Sequence, residues 1–211
     1  MSTIAFRRAA NEAPEPVARI ADIMSAFPRT WFLCGGWAVD AWLGRQSRDH
    51  IDLDIVIFEE DQRAIFEHLA GWHLIADIGE AGDARIDPWD GRPVPVPSHV
   101  HATRDDSGLN LEVLFNERTR REWVLRREPR VSLPLRRCSR RSGWGIPTAV
   151  PEVLLLYKAT AYAGTKHYMR PHDRQDFLAL LPRLAEGQRV WLRRAICLVN
   201  PDHPWLAELS P

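Results

Sequence analysis

Lysine is nearly missing from this 211-residue chain; Lys158 and Lys166 are the only two, and the rest of the positive charge is arginine. Cysteine is almost as scarce. Cys34, Cys138 and Cys197 are odd in number, widely spaced and without a Cys-x-x-Cys pair, which argues against a disulfide framework or zinc ribbon and fits a reducing compartment. Net charge is lacking too: 28 basic residues balance 28 acidic ones, so no overall field draws the chain to nucleic acid or an anionic membrane. No apolar run reaches membrane-spanning length, and residues 1–15, with Arg7, Arg8, Glu12 and Pro14, hold no apolar core of signal-peptide length. A cytoplasmic location is the expectation. Hydrophobic residues make up 45% and charged ones 27%, enough for one sizeable globular domain or a core with a smaller appendage.

The chain is organised around Cys34 to Phe58. The apolar run Trp31-Phe32-Leu33 meets Gly35-Gly36, a pair that permits a tight turn and leaves backbone N–H groups uncovered. Residues 37–43 read as a short helix closed by Gly44, and a helix start past a bare glycine turn is a natural seat for a phosphate. A strand follows. Ile51, Leu53, Ile55 and Ile57 alternate along one face, so Asp52 and Asp54 share the other. Two carboxylates on one face repel each other, and a divalent cation would remove that cost; Mg²⁺ suits one or two protein carboxylates plus water and phosphate oxygens. Either motif alone favours an ordinary strand–helix turn with solvated aspartates. Their conjunction carries the weight.

Elsewhere, residues 1–13 read as a loose arm, and Val17, Ile20, Ile23, Met24 and Phe27 recur at helical spacing. A helix is expected over 59–69 and a strand over 72–78, followed by a Gly-, Pro- and Asp-rich section to Pro97. His99 and His101 share a face of an extended segment; without a third ligand at sensible spacing, polar strand positions are the better account than metal. Leu109, Leu111, Val113 and Phe115 point one way and Asn110 and Glu112 the other, so Glu112 completes a three-carboxylate cluster if its strand lies beside the Asp-Leu-Asp strand. Between Arg118 and Arg141 stand ten arginines against Glu122 and Glu128; charged strand edges explain them better than a nucleic-acid surface. Pro147 to Pro151 marks a boundary, giving a core over 14–146 and a small helical domain over 147–211 with helices at 152–163, 173–184 and 188–199. Lys158 lies on the first of these, and Asp173 suits the N-cap of the second.

With these residues in view, the chain resembles the nucleotidyltransferases of the DNA polymerase beta superfamily, and within them the bacterial aminoglycoside and lincosamide nucleotidyltransferases and their relatives. The resemblance rests on Cys34-Gly-Gly-Trp-Ala-Val-Asp40, then Leu43-Gly44-Arg45, Arg48, His50 and Asp52-Leu53-Asp54. Glu152-Val-Leu-Leu-Leu-Tyr-Lys158 and Arg170-Pro-His-Asp-Arg-Gln-Asp-Phe177 are similar to its C-terminal motifs. It implies an α+β fold: a mixed sheet flanked by helices, then a helical domain closing the cleft. It also implies transfer of a nucleoside monophosphate, AMP from ATP being expected, to a hydroxyl of a small antibiotic-like acceptor.

By the same resemblance Asp52 and Asp54 match the metal-binding pair, with two Mg²⁺ ions expected, and Glu112 matches the third carboxylate as ligand or base. Gly35 and Gly36 match the phosphate-contacting turn, Lys158 a lysine near the phosphates, and Arg48 a further candidate for the nucleotide; the task of His50 is open. The acceptor is not written in the sequence, although Glu80, Asp83, Asp87, Asp90, Asp105 and Asp106 are candidates to meet a cationic one. Two other classes compete: a protein- or RNA-modifying nucleotidyltransferase of a toxin–antitoxin or defence system, and a catalytically silent nucleotide-binding module. The intact carboxylates speak against the second.

Overall fold

A computed structural model describes residues 12–79, 85–104, 108–160 and 170–209. Of the loop acids, Glu80, Asp83, Asp105 and Asp106 lie outside them, as does the 1–11 stretch of the arm. The chain opens on α1 (Glu15–Ser25), whose Val17, Ile20 and Met24 are buried at helical spacing, followed by β1 (Trp31–Leu33) and α2 (Gly35–Leu43). Next come β2 (Leu53–Phe58), a 3-10 turn at Glu59–Asp61, α3 (Gln62–His68), β3 (His73–Ile78), β4 (Arg85–Pro88), β5 (Ser98–Arg104) and β6 (Leu109–Arg118). Short elements follow: β7 (Glu122–Val124), β8 (Ser132–Pro134), α4 (Leu135–Cys138), β9 (Ser139–Arg141) and β10 (Pro147–Ala149). The rest is helical, with α5 (Pro151–Thr160), α6 (Pro171–Leu180), α7 (Glu186–Val199) and α8 (Trp205–Glu208).

The strands form one mixed sheet in the order β4-β3-β5-β6-β2-β1-β10-β9, with β7 and β8 extending from β6. Parallel pairing joins β2 to β6 and β1 to β10; the other neighbours are antiparallel. The fold is thus α+β, a mixed sheet with flanking and C-terminal helices. In the middle of β5 and β6 burial alternates: Val100, Ala102, Leu111 and Val113 are buried while His99, His101 and Glu112 are half-open. β10 sits between β1 and the edge strand β9 just before α5, so the helices after Pro151 follow from the strand beside β1.

Four local expectations shift. Both glycines fall inside α2, which begins at Gly35, because glycine there can take a φ of 64° that opens the helix directly from Cys34. Ile51 is 92% exposed, since the strand starts only at Leu53. Val131, Leu133 and Leu135 alternate in the sequence as a strand would, but Leu135 opens α4 after Pro134. Helix α6 starts at Pro171 with Arg170 as N-cap, so Asp173 lies inside the first turn, free to bond elsewhere.

Asn116 ties α5 to the sheet. Its Oδ1 accepts from Trp123 Nε1 at 2.7 Å and Tyr157 Oη at 2.8 Å, both on buried or half-buried rings. Asn116→Ala strands two donors in an apolar setting, and urea unfolding should show a loss of about 1–3 kcal/mol; an unchanged midpoint would contradict this linkage.

Candidate active site

The parallel register of β2 and β6 sets Asp54 directly beside Glu112. Asp52 stands two residues earlier on the same side, and carboxylate oxygens of Asp52, Asp54 and Glu112 all lie within 4.8 Å of one another. Burial raises the Asp54 carboxyl, as do the charge of Glu112, the hydrogen bond between them and the charge of Asp52; together they push it up to about 8. Glu112 is raised as well, chiefly by burial. The pair therefore shares a proton in the absence of a cation. An all-oxygen cluster that must otherwise hold a proton fits Mg²⁺, whose charge would replace it.

Gly35 touches this cluster from above. A Cβ there would overlap the Asp54 carboxylate, and the Cys34 N–H donates to the Asp54 carbonyl at 2.9 Å, which clamps the start of α2 to β2. No side chain caps that helix start. Gly36 is buried, roofed by the His50 imidazole and the Arg48 guanidinium. A phosphate approaching Gly36 therefore meets those two side chains first. Arg48 Nε is buried and has no hydrogen-bond partner among the described residues. Cys34 is buried, and burial together with Asp54 holds its thiol well above the usual range, so it is no nucleophile.

His50 was not assigned a task from sequence, and the fold supplies its anchor. His50 Nε2 lies 2.6 Å from Oδ2 of Asp40, which is fully buried on α2 and also accepts from the Ser47 hydroxyl. Burial by itself would raise Asp40, but the hydrogen bonds from His50 and Ser47 outweigh it and hold the carboxyl below its usual value. An acidic residue in the middle of the apolar Trp37–Leu43 run was the available clue.

Lys158 is buried on α5. Its Nζ reaches Asp173 Oδ1 at 3.1 Å and Asp176 Oδ2 at 2.7 Å, both on α6, and its charge lowers the Asp54 carboxyl. Asp173 also accepts from Arg170 Nε at 2.7 Å, and Arg48 Nη2 lies 3.4 Å from Asp176. A cationic rim of Arg48, Lys158 and Arg170 thus hangs from two buried aspartates beside the carboxylate cluster. Several arginines of the 118–141 run have local partners: Arg118 pairs with Glu60, Arg130 with Glu128, and Arg140 lies over the Trp42 ring.

The acidic cluster also has a neighbour. His99 and His101 are joined by Asp77 from β3, the third group the sequence did not reveal, and His99 Nε2 lies 3.0 Å from Glu112 Oε1. Burial and the nearby His101 hold His99 below its usual value.

Residues 16–116 match the family profile of aminoglycoside-2''-adenylyltransferase. Among solved structures, the lincosamide antibiotic adenylyltransferase LnuA in its lincomycin-bound form is similar at a TM-score of 0.53 and 16% identity, covering 81% of this chain and 98% of LnuA. The antibiotic-resistance factor ANT(2'')-Ia matches in its solution structure at 0.54 and 14% identity, over 85% of this chain and 88% of the other. Its crystal structure with adenylyl-2''-tobramycin matches at 0.51 and 16% identity, over 85% and 94%. No curated protein matches by sequence. Among the described residues no helix is long and apolar enough to cross a membrane.

Proposed function

We propose that this chain is a nucleotidyltransferase of the DNA polymerase beta superfamily and that it moves a nucleoside monophosphate, AMP from ATP, to a hydroxyl of a small aminoglycoside- or lincosamide-like molecule. The observation that carries this reading is the direct pairing of Asp54 with Glu112, with Asp52 alongside and the uncapped start of α2 above. Asp52, Asp54 and Glu112 would hold Mg²⁺, two ions by the number of carboxylates, which would neutralise the triphosphate and make the acceptor hydroxyl more acidic.

The chain's own groups divide the remaining work. The first amides of α2, beginning at Gly35, present unpaired donors and the positive end of the helix to the phosphates. Arg48, with its unpartnered Nε, and Lys158 offset the charge that builds on departing pyrophosphate. Asp40 fixes the orientation of His50, which covers Gly36 and meets the same phosphates. Glu112 accepts the proton of the attacking hydroxyl, and burial, by making it more basic, suits it to that task. The oxygen then bonds to the α-phosphorus as the bond to pyrophosphate breaks in line. The helices beyond residue 147 act as the small domain that closes over the nucleotide.

The test is a matrix of nucleoside triphosphates against aminoglycosides and lincosamides, read by pyrophosphate release with and without Mg²⁺. Release that needs both Mg²⁺ and an acceptor, with a matching mass gain on the acceptor, supports the reading. Mg²⁺-dependent labelling of the protein itself or of added RNA, with every small acceptor inert, would overturn the choice of acceptor.

A further inference from the structure

One face of four adjacent strands gathers several metal-binding side chains. Asp54, Glu112 and His101 form a single cross-strand row over β2, β6 and β5, through the pairs Asp54–Glu112 and His101–Glu112. Two residues along, His99 on β5 pairs directly with Asp77 on β3. The sequence offered His99 and His101 without a third ligand; antiparallel pairing of β3 with β5 brings one.

We infer that Asp77, His99 and His101 form a second metal site, for a borderline divalent cation such as Zn²⁺ or Mn²⁺, separate from the all-carboxylate site beside it. One atom of each side chain lies within 4.8 Å of the other two. The two imidazole Nε2 atoms stand 3.2 Å apart, and His99 Nε2 lies 3.5 Å from Asp77 Oδ2. Ligands about 2.0–2.1 Å from a tetrahedral zinc sit about 3.3 Å from one another, so the ring nitrogens already have the spacing of a shared ion. Two imidazoles with one carboxylate favour zinc, manganese or iron, whereas the oxygen-only group next door favours magnesium.

Hydrogen bonding alone accounts for the cluster poorly. His99 Nε2 lies 3.2 Å from His101 Nε2 and also faces two carboxylate oxygens, Asp77 Oδ2 at 3.5 Å and Glu112 Oε1 at 3.0 Å. A neutral imidazole has at most one proton to place there, so at least one lone pair stays opposed to another. A cation held by Asp77, His99 and His101 would take up the opposed lone pairs of those three groups. The three ligands are half-buried, enclosed enough to hold an ion and open enough to admit one.

The test uses Co²⁺ as a zinc surrogate, titrated into full-length protein carrying Cys197→Ser, which removes the exposed thiol. Visible d–d absorption should saturate at one equivalent, be displaced by Zn²⁺, and persist with Asp52→Asn, which cripples only the neighbouring cluster. His99→Asn, His101→Asn and Asp77→Asn should each weaken binding at least tenfold. In case a variant folds poorly, ¹⁵N NMR of the parent protein should show two imidazole Nε2 signals moving on Zn²⁺ addition. Absence of saturable Co²⁺ binding, or binding indifferent to His99→Asn and Asp77→Asn, would leave a merely hydrogen-bonded ladder and overturn the site. Neither result bears on the transfer reaction, which is scored by pyrophosphate release.

Discussion

Asp54→Asn should lower kcat/KM by about 10³-fold and at the same time raise the melting temperature of the metal-free protein at pH 8. Both effects come from one cause. Folding sets Asp54 against Glu112 and Asp52 in a buried place, and lifts its ionisation from 3.8 to about 8. Between those values the folded chain keeps a proton that the unfolded chain has released, so stability falls as pH rises through that window. Asparagine keeps the shape and the hydrogen bond to Glu112 but removes the charge. Mg²⁺ competes with the same proton, so the rise in melting temperature that it causes in the wild type should grow from pH 5 to pH 8. Thermal melts at both pH values, with and without Mg²⁺, check the sign, alongside turnover. A variant that turns over normally, or that melts lower than wild type at pH 8 without metal, would refute the role given to Asp54.

Lys158→Met should be the most destabilising single change in the helical part. The ammonium is buried between Asp173 and Asp176, themselves almost fully buried. Among the described residues, removing it leaves two carboxylates in a dry place with Arg170, a 3.8 Å approach of His172 Nε2 and a long contact to Arg48. Breaking such a group from one side costs about 3–5 kcal/mol. Adding Asp176→Asn to Lys158→Met removes one of the stranded charges and should recover part of that loss in urea unfolding. If Lys158→Met melts within about 1 kcal/mol of wild type, the pairing does not carry α6. A double variant with restored stability and a raised KM for nucleotide would separate the lysine's structural duty from its proposed one at the phosphates.

What could be read from the sequence was local. The two glycines, the Asp-Leu-Asp alternation and the out-of-place Glu112 each announce themselves within a few residues, because strand and helix periods expose a polar residue on the wrong face. The fold class followed from them and from the family resemblance. Long-range partners were another matter. Asp77 joins His99 only through the antiparallel pairing of β3 and β5, and nothing near Asp77 in the chain marks it. The family resemblance alone sets Lys158 near the phosphates, while its ion-pair partners among the described residues come from α6, across residues 161–169. The roof over Gly36 is likewise a matter of chain reversal: His50 comes back over α2 because buried Asp40 holds it there.

The register of β2 against β6 also makes catalysis a gauge of correct folding. Sliding β6 by one residue would turn Glu112 into the apolar interior and bring Leu111 or Val113 opposite Asp54, at a stroke dismantling the cluster while leaving most of the ladder intact. A mispaired chain could therefore look native by circular dichroism and still be inert. Specific activity after refolding counts the molecules whose central strands have found their proper alignment.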